Sequence, residues 1–318
     1  MTEKRSIFQH LALEFVTVTE VGAIAAARWI GKGDKVAADQ AAVDAMRAKF
    51  NEIDFKGEIV IGEGAKDESA ELYIGEVLGK GSGPALDIAV DPLECTSSVA
   101  YGRSNAISVI ALGPHGTLYK AADSYMNKIV AGPKAKDVID LEASPETNIK
   151  KVAKALGKDV REITVAVIDR PRHEQLIKDI RAAGARVSLF TDGDVSMAYS
   201  TCLRESPIDL LIGVGGSTEI VLSAAAVKCL GGGLFARWQP PDEKHIARLN
   251  KAGITDFKQT FTADDFVKSD DVTLTATGIL PGPFASGVNF AGDHIHTETI
   301  VLTSSPRQTR VIKTKHIV

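Results

Sequence analysis

Apolar side chains recur at helical spacing near the start of the chain: Ala12, Phe15, Val16 and Val18, then Ala23, Ala26, Ala27 and Ile30. Gly31-Lys32-Gly33-Asp34 stops that helix. The spacing predicts a second helix over residues 35–50, with Val43 and Met46 on its apolar face and Asp39 in its first turns. Short, mostly apolar runs at 59–61, 86–90 and 107–112 predict strands. Leu72, Ile74 and Val77 predict a helix near 68–78. Further on, strand, polar turn and helix recur three times. The strands are 163–168, 186–190 and 209–214, and the helices are 173–183, 195–203 and one running from about Gly215 to Leu230. Near the C-terminus, 272–277 and 298–303 alternate with period two, and 310–313 reads as a further weak strand. Alternating strands and helices of this kind predict an α/β fold.

At 318 residues the chain is long enough for one large domain or two closely joined ones. A polar, lysine-rich stretch opening at Ser144-Pro145-Glu146 suggests a division near 140–160, hence halves of 1–150 and 151–318 that act as one unit. The net charge of −4 and the scattered Lys and Arg leave no nucleic-acid footprint. Aromatics at 6% leave no stacking platform for bases. Cys95, Cys202 and Cys229 fit no zinc or paired-thiol spacing and are expected to be reduced thiols of a cytoplasmic protein. The first residues lack the apolar core of a signal peptide. Glu219 and Lys228 interrupt the apolar stretch 214–236, so no membrane span is expected.

The candidate chemistry lies where predicted strands end. Asp91-Pro92-Leu93-Glu94-Cys95-Thr96 follows Ile88-Ala89-Val90, and Gly62-Glu63-Gly64 follows Ile59-Val60-Ile61. Carboxylate-rich turns suit hard cations such as Mg²⁺ or Mn²⁺, which bring phosphates with them. Two metals about 4 Å apart stabilise the attacking and leaving oxygens of a phosphomonoester. Asp39, Glu63, Asp91, Glu94 and Glu219 could supply the ligands, with the Leu93 carbonyl as a further one. The Thr96 hydroxyl could orient a water, Asp67 could accept a proton, and N–H groups after Cys95 could receive a phosphate. The later turns carry Arg170 and Arg172, Asp192 and Asp194, and Gly216 with Glu219, a set suited to a charged polyol.

Each residue alone has a plainer reading. Asp39, Asp67 and Glu219 could be acids of first helical turns, Arg170 and Arg172 surface charges, and Tyr125 a packing residue. Their placement at successive strand ends favours a site. Gly213-Val214-Gly215-Gly216-Ser217-Thr218 starts like a dinucleotide loop, but Thr218 stands in the third glycine's place. Lys80 is followed by Gly81, so there is no Walker A motif. His294 and His296 could share one side of a strand and hold a transition metal. Cys95 has no histidine nearby in sequence to make it a nucleophile.

Longer segments carry a resemblance. They are Trp29-Ile30-Gly31-Lys32-Gly33-Asp34-Lys35, Ile59-Val60-Ile61-Gly62-Glu63-Gly64, Asp87-Ile88-Ala89-Val90-Asp91-Pro92-Leu93-Glu94, Tyr125-Met126, Pro171-Arg172-His173, Asp192-Gly193-Asp194-Val195 and Ala276-Thr277-Gly278-Ile279. The chain resembles the class II fructose-1,6-bisphosphatases, of the lithium-sensitive, metal-dependent sugar phosphatase superfamily. The resemblance implies a layered αβαβα sugar-phosphatase fold and a phosphoric monoester hydrolase of gluconeogenesis. It implies hydrolysis of the 1-phosphate of fructose 1,6-bisphosphate with Mn²⁺ or Mg²⁺, in a homodimer or homotetramer. It puts metal ligation on Asp39, Glu63, Asp91, Glu94 and Glu219 and water activation on Asp67 and Thr96. Substrate contacts fall on Glu94, Cys95, Thr96, Tyr125, Arg170, Pro171, Arg172, Asp192, Gly193, Asp194 and Gly216. The first half is then metal-binding and the second sugar-binding. Close alternatives are a sedoheptulose-1,7-bisphosphatase or a dual-specificity enzyme. The alternative of another class is a non-catalytic sugar-phosphate-binding protein. Cys95 departs from the family's glycine in the acidic turn, and Ser217-Thr218 from its usual Ala-Pro. A side chain at Cys95 costs strain if that position needs φ > 0.

Overall fold

Two long apolar faces start the chain, and they fold as helices Ile7–Ala27 and Lys35–Phe50. The computed structural model describes residues 7–64 and 71–317. Asp34 caps the second helix by accepting a hydrogen bond from the Ala37 amide at 3.0 Å. Phe15, Phe50 and Phe55 meet with ring centroids 5.1 to 6.2 Å apart. Val43, Met46, Ile59, Ile88 and Ile110 pack around them in one apolar core. A buried hydroxyl chain also ties the first helix down: Thr277 Oγ1 lies 2.7 Å from both Thr19 Oγ1 and Thr299 Oγ1.

The contacts divide the chain into two compact units. Residues 1–120 and 267–318 make the first, and 121–266 the second. The stretch expected to mark a boundary near 140–160 is a helix of the second unit, Pro145–Leu156. Its Ser144 cap and its Ile149–Val152–Ala153 face, which joins the core of that unit, explain why its lysines line an exposed face.

The first unit is built on an eight-stranded mixed sheet among the described residues. Strand Lys56–Ile61 runs parallel to Ala85–Glu94, with Ile61 beside Ala89. Ala85–Glu94 pairs antiparallel with Ala106–Pro114, which pairs with Thr273–Leu280. The strand bearing Asp91 does not turn at that residue. It continues to Glu94 through a bulge, because its pairing with Ala106–Pro114 gains a residue between Asp91 and Glu94.

The helix predicted near 68–78 is not present in the part of it that is described, 71–78. Leu72 and Gly75 take positive φ (51° and 92°), which no right-handed helix tolerates. The Glu76 carboxylate accepts from the Leu72 amide at 2.6 Å and from Arg47 Nε at 2.7 Å, and Val77–Leu78 pairs with strand Lys56–Ile61.

The second unit holds a six-stranded sheet. Thr164–Ile168 is flanked in parallel by Arg186–Phe190 and Leu210–Gly216, as the repeated strand–turn–helix pattern predicts. Three strands were not predicted: Tyr125–Ala131 and Gly233–Trp238 pair antiparallel with each other, and Phe261–Thr262 pairs antiparallel with Gly233–Trp238. Ile129 and Ala131 join a core with Ile149, Val152, Ile177 and Ile180 of two helices. Strand alternation turns Lys128 to the other face, where it reaches helix Asp194–Cys202. Different helices therefore cover the two faces of this sheet. Mixed sheets with helices packed on them are the layered α/β phosphatase class the sequence predicts. No helix among the described residues is long and apolar enough to cross a membrane.

Candidate active site

In the first unit, helix Lys35–Phe50 supplies Asp39 and the end of strand Lys56–Ile61 leads to Glu63. The two carboxyls hydrogen-bond to each other. Burial, then the Asp39 charge and this hydrogen bond, push Glu63 up to about 7. Burial raises Asp39 too, and the hydrogen bond opposes the rise. Parallel pairing of the neighbouring strand brings Asp91 to the same end of the sheet. There Asp91 Oδ1 accepts from the Leu93 amide at 3.0 Å, a local bond within the bulge that fixes its carboxylate. Glu94 is buried at the strand's last position. Thr96 Oγ1 donates to the Leu93 carbonyl at 3.2 Å. Cys95 caps the short helix Thr96–Tyr101 at φ 75° and ψ 48°, in the left-handed region that favours glycine, and is 5% exposed. Asp67 lies outside the described residues.

No three His, Cys, Asp or Glu side chains among the described residues form a ready-made metal cage. The donor chemistry nevertheless fits a hard divalent cation. Two partly buried carboxyls held together with raised affinity for a proton are a pair that a cation would relieve, and every candidate donor is an oxygen. His294 and His296 do share a strand face, with ring centroids 4.7 Å apart, but His294 Nδ1 is engaged by Asp293 and no third ligand joins them among the described residues.

In the second unit, Arg170, Pro171 and Arg172 follow strand Thr164–Ile168, and Pro171 opens a single 3₁₀ turn. Arg172 donates to the Val214 carbonyl from Nε and Nη2, at 3.2 and 2.7 Å, and its guanidinium lies over the Tyr125 ring at 5.2 Å. His245 meets that ring edge-on at 5.6 Å, and Asp242 holds the His245 Nδ1 at 2.7 Å. Arg170 Nη1 donates to the Asp169 carbonyl. Buried His173 bridges two strand ends: its Nδ1 lies 2.9 Å from the Ile168 carbonyl and its Nε2 accepts from the Val214 amide at 2.8 Å.

Asp192 Oδ1 accepts from the Gly193 amide, and Gly193 takes φ 100° before helix Asp194–Cys202. Asp194 is buried in an ion pair with Lys128, Nζ to Oδ2 2.5 Å. Gly216 approaches Glu219 so closely that a Cβ would lie 1.9 Å from Oε2. Burial raises the Glu219 carboxyl, the Asp194 charge adds to this, and the Thr218 hydroxyl and Lys128 oppose it. Each unit therefore gathers its own share of the predicted residues. Lys128, His173, Asp242 and His245 join them without having been singled out as site residues. The strand bearing Lys128 was not predicted, and a histidine at a strand end carries no signal of its own.

The family model for bacterial fructose-1,6-bisphosphatase, glpX-encoded, matches residues 9–316. The chain belongs to the bacterial class 2 fructose-1,6-bisphosphatase family. It is 42% identical to a D-fructose 1,6-bisphosphatase class 2/sedoheptulose 1,7-bisphosphatase of Synechococcus sp. (strain JA-3-3Ab), over 96% of this chain and 95% of that one. It is also 42% identical to a fructose-1,6-bisphosphatase class 2 of Haemophilus influenzae, over 96% of each. The family comprises metal-dependent phosphatases.

Proposed function

We propose that this chain hydrolyses the 1-phosphate of fructose 1,6-bisphosphate, releasing fructose 6-phosphate and phosphate, as a cytoplasmic enzyme of gluconeogenesis. The observation that carries the reading is the hydrogen-bonded Asp39–Glu63 pair at the sheet end that also bears Asp91, in a chain matched by the family model from 9 to 316. Asp39, Glu63, Asp91, Glu94 and Glu219 are the proposed ligands of Mn²⁺ or Mg²⁺. The cation, when bound, polarises a phosphoryl oxygen and makes a water more acidic. Thr96 orients the attacking water with its hydroxyl, and Asp67 takes its proton.

Glu94, Cys95 and Thr96 contact the substrate from the first unit. In the second, Arg170, Pro171 and Arg172 face its anionic end and Tyr125 stacks behind Arg172. Asp192, Gly193, Asp194 and Gly216 receive its hydroxyls. A homodimer or homotetramer is the proposed assembly.

The test is phosphate release by Thr96→Ala and Asp91→Ala. Each loses at least about 100-fold in turnover while keeping its far-ultraviolet dichroism. Near-normal rates in both variants overturn the roles assigned. The name of the Synechococcus relative supports a second reading in which sedoheptulose 1,7-bisphosphate is also a substrate. Rates on the two sugars at equal concentration separate the readings.

A further inference from the structure

Lys128 is a lysine at 2% exposure in the middle of a sheet. Burying an ammonium is strongly unfavourable unless a partner and good geometry offset the lost hydration. The partner is Asp194, itself buried, at 2.5 Å. The pair lies against the backbone of a third element. A Cβ on Gly215 would sit 2.0 Å from Asp194 Oδ2 and 2.2 Å from Lys128 Nζ, so only glycine leaves room for the pair there. Strand Tyr125–Ala131, the start of helix Asp194–Cys202 and the end of strand Leu210–Gly216 thus meet at one ion pair. Tyr125 lies opposite Gly216 in the register of the two strands, and Asp192 and Gly193 lead directly into Asp194. Every one of these neighbours belongs to the set proposed to hold the sugar.

We infer that Lys128 is a positioning residue: its ion pair with Asp194 locks the 192–194 turn against the Gly215–Gly216 strand end and so sets the shape of the sugar-phosphate-binding face. This rests on the function proposed above. A lysine that only neutralised Asp194 would be replaceable by any change that removed both charges. A positioning lysine is not, because the turn's orientation depends on the directed contact itself.

The experiment compares wild type, Lys128→Met and Gly215→Ala, which keeps both charges but pushes a Cβ against the pair. Two quantities are read, KM for fructose 1,6-bisphosphate and calorimetric affinity for fructose 6-phosphate, beside thermal melting. Lys128→Met melts earlier, because Asp194 is left buried and unpaired. Both variants show KM and product Kd raised about tenfold, with kcat within about threefold of wild type.

Wild-type KM in Lys128→Met overturns the inference. So do wild-type KM and product affinity in a folded Gly215→Ala. If Lys128→Met does not fold, Gly215→Ala alone decides. If wild type binds fructose 6-phosphate but releases no phosphate, the proposed function fails while the product affinities still judge Lys128. If wild type does neither, both fall.

Discussion

The carboxyls of Asp39 and Glu63 share a hydrogen bond although one comes from a helix and the other from a strand end. Two carboxylates cannot share a hydrogen bond when both are ionised, so the pair retains a proton below about 7. Glu63 is held up to about 7 in the folded chain against 4.5 as its ordinary value. Between those values the folded state binds more protons than the unfolded one. Stability from this group is therefore greatest at low pH and is lost as pH rises through about 7. A divalent cation displaces the proton, so its binding strengthens as pH rises. In EDTA, the pair's contribution should lower the melting temperature between pH 5.5 and 8, and Glu63→Gln should remove that contribution. With Mn²⁺ or Mg²⁺ added, the gain in melting temperature should be larger at pH 8 than at pH 5.5. An equal gain at both pH values would show that the pair does not hold the cation.

Cys95 occupies a left-handed backbone position (φ 75°), a region that favours glycine. For a non-glycine residue that conformation costs about 1–2 kcal/mol. Replacement by glycine removes the strain but frees the unfolded chain by about 0.4–1 kcal/mol. It also removes a buried thiol from the cluster of Ala23, Leu93 and Val99, at about 1 kcal/mol. These effects nearly cancel, so Cys95→Gly should melt within a few degrees of wild type. Cys95→Val, β-branched, should lose about 2 kcal/mol or more by chemical denaturation. Equal stability of the valine variant would mean that this turn does not impose the left-handed conformation.

Much of this was legible in the sequence where one signal dominated. Strands buried on both faces, such as Thr164–Ile168, read as unbroken apolar runs, and the glycines and aspartates after them mark the turns. Tyr125–Ala131 escaped because Asn127 and Lys128 break its apolar pattern, and only the fold supplies the Asp194 carboxylate that makes a buried lysine tenable. Leu72, Ile74 and Val77 suggested a helix because their spacing fits one. The Glu76 carboxylate instead captures the Leu72 amide, and Gly75 reverses the chain. Asp39 and Glu63 were legible singly as candidate ligands. Their mutual hydrogen bond depends on how a helix end meets a strand end, which no local pattern encodes.

The stack of Arg172, Tyr125 and His245 gives a third expectation. Each ring or guanidinium plane limits the motion of the next, and Asp242 anchors the outermost member. His245→Ala should raise KM for the sugar bisphosphate about threefold to tenfold with little change in kcat, by loosening Tyr125 and Arg172. His245→Phe, which keeps an aromatic edge, should recover most of the loss. An unchanged KM in the alanine variant would remove His245 from the site.

His173 should make the second unit sensitive to acid. Its Nε2 accepts the Val214 amide, so the proton of the neutral ring sits on Nδ1 and is donated to the Ile168 carbonyl. Protonating Nε2 would set one N–H against another. Burial, with Arg172 and Lys128 nearby, holds the imidazole below its ordinary 6.5, against the opposing pull of the Ile168 bond and Asp194. Below 6.5 the unfolded chain therefore binds a proton that the folded chain resists. This stability is fully present above 6.5 and is lost as pH falls, opposite in sign to the Glu63 effect. His173→Phe leaves the Val214 amide and the Ile168 carbonyl without the ring and should cost about 2–4 kcal/mol at pH 7.5. The gap between wild type and variant should narrow between pH 7 and 5.5, measured by urea denaturation at each pH. A gap that stays constant over that range would mean that the ring's protonation is not linked to folding.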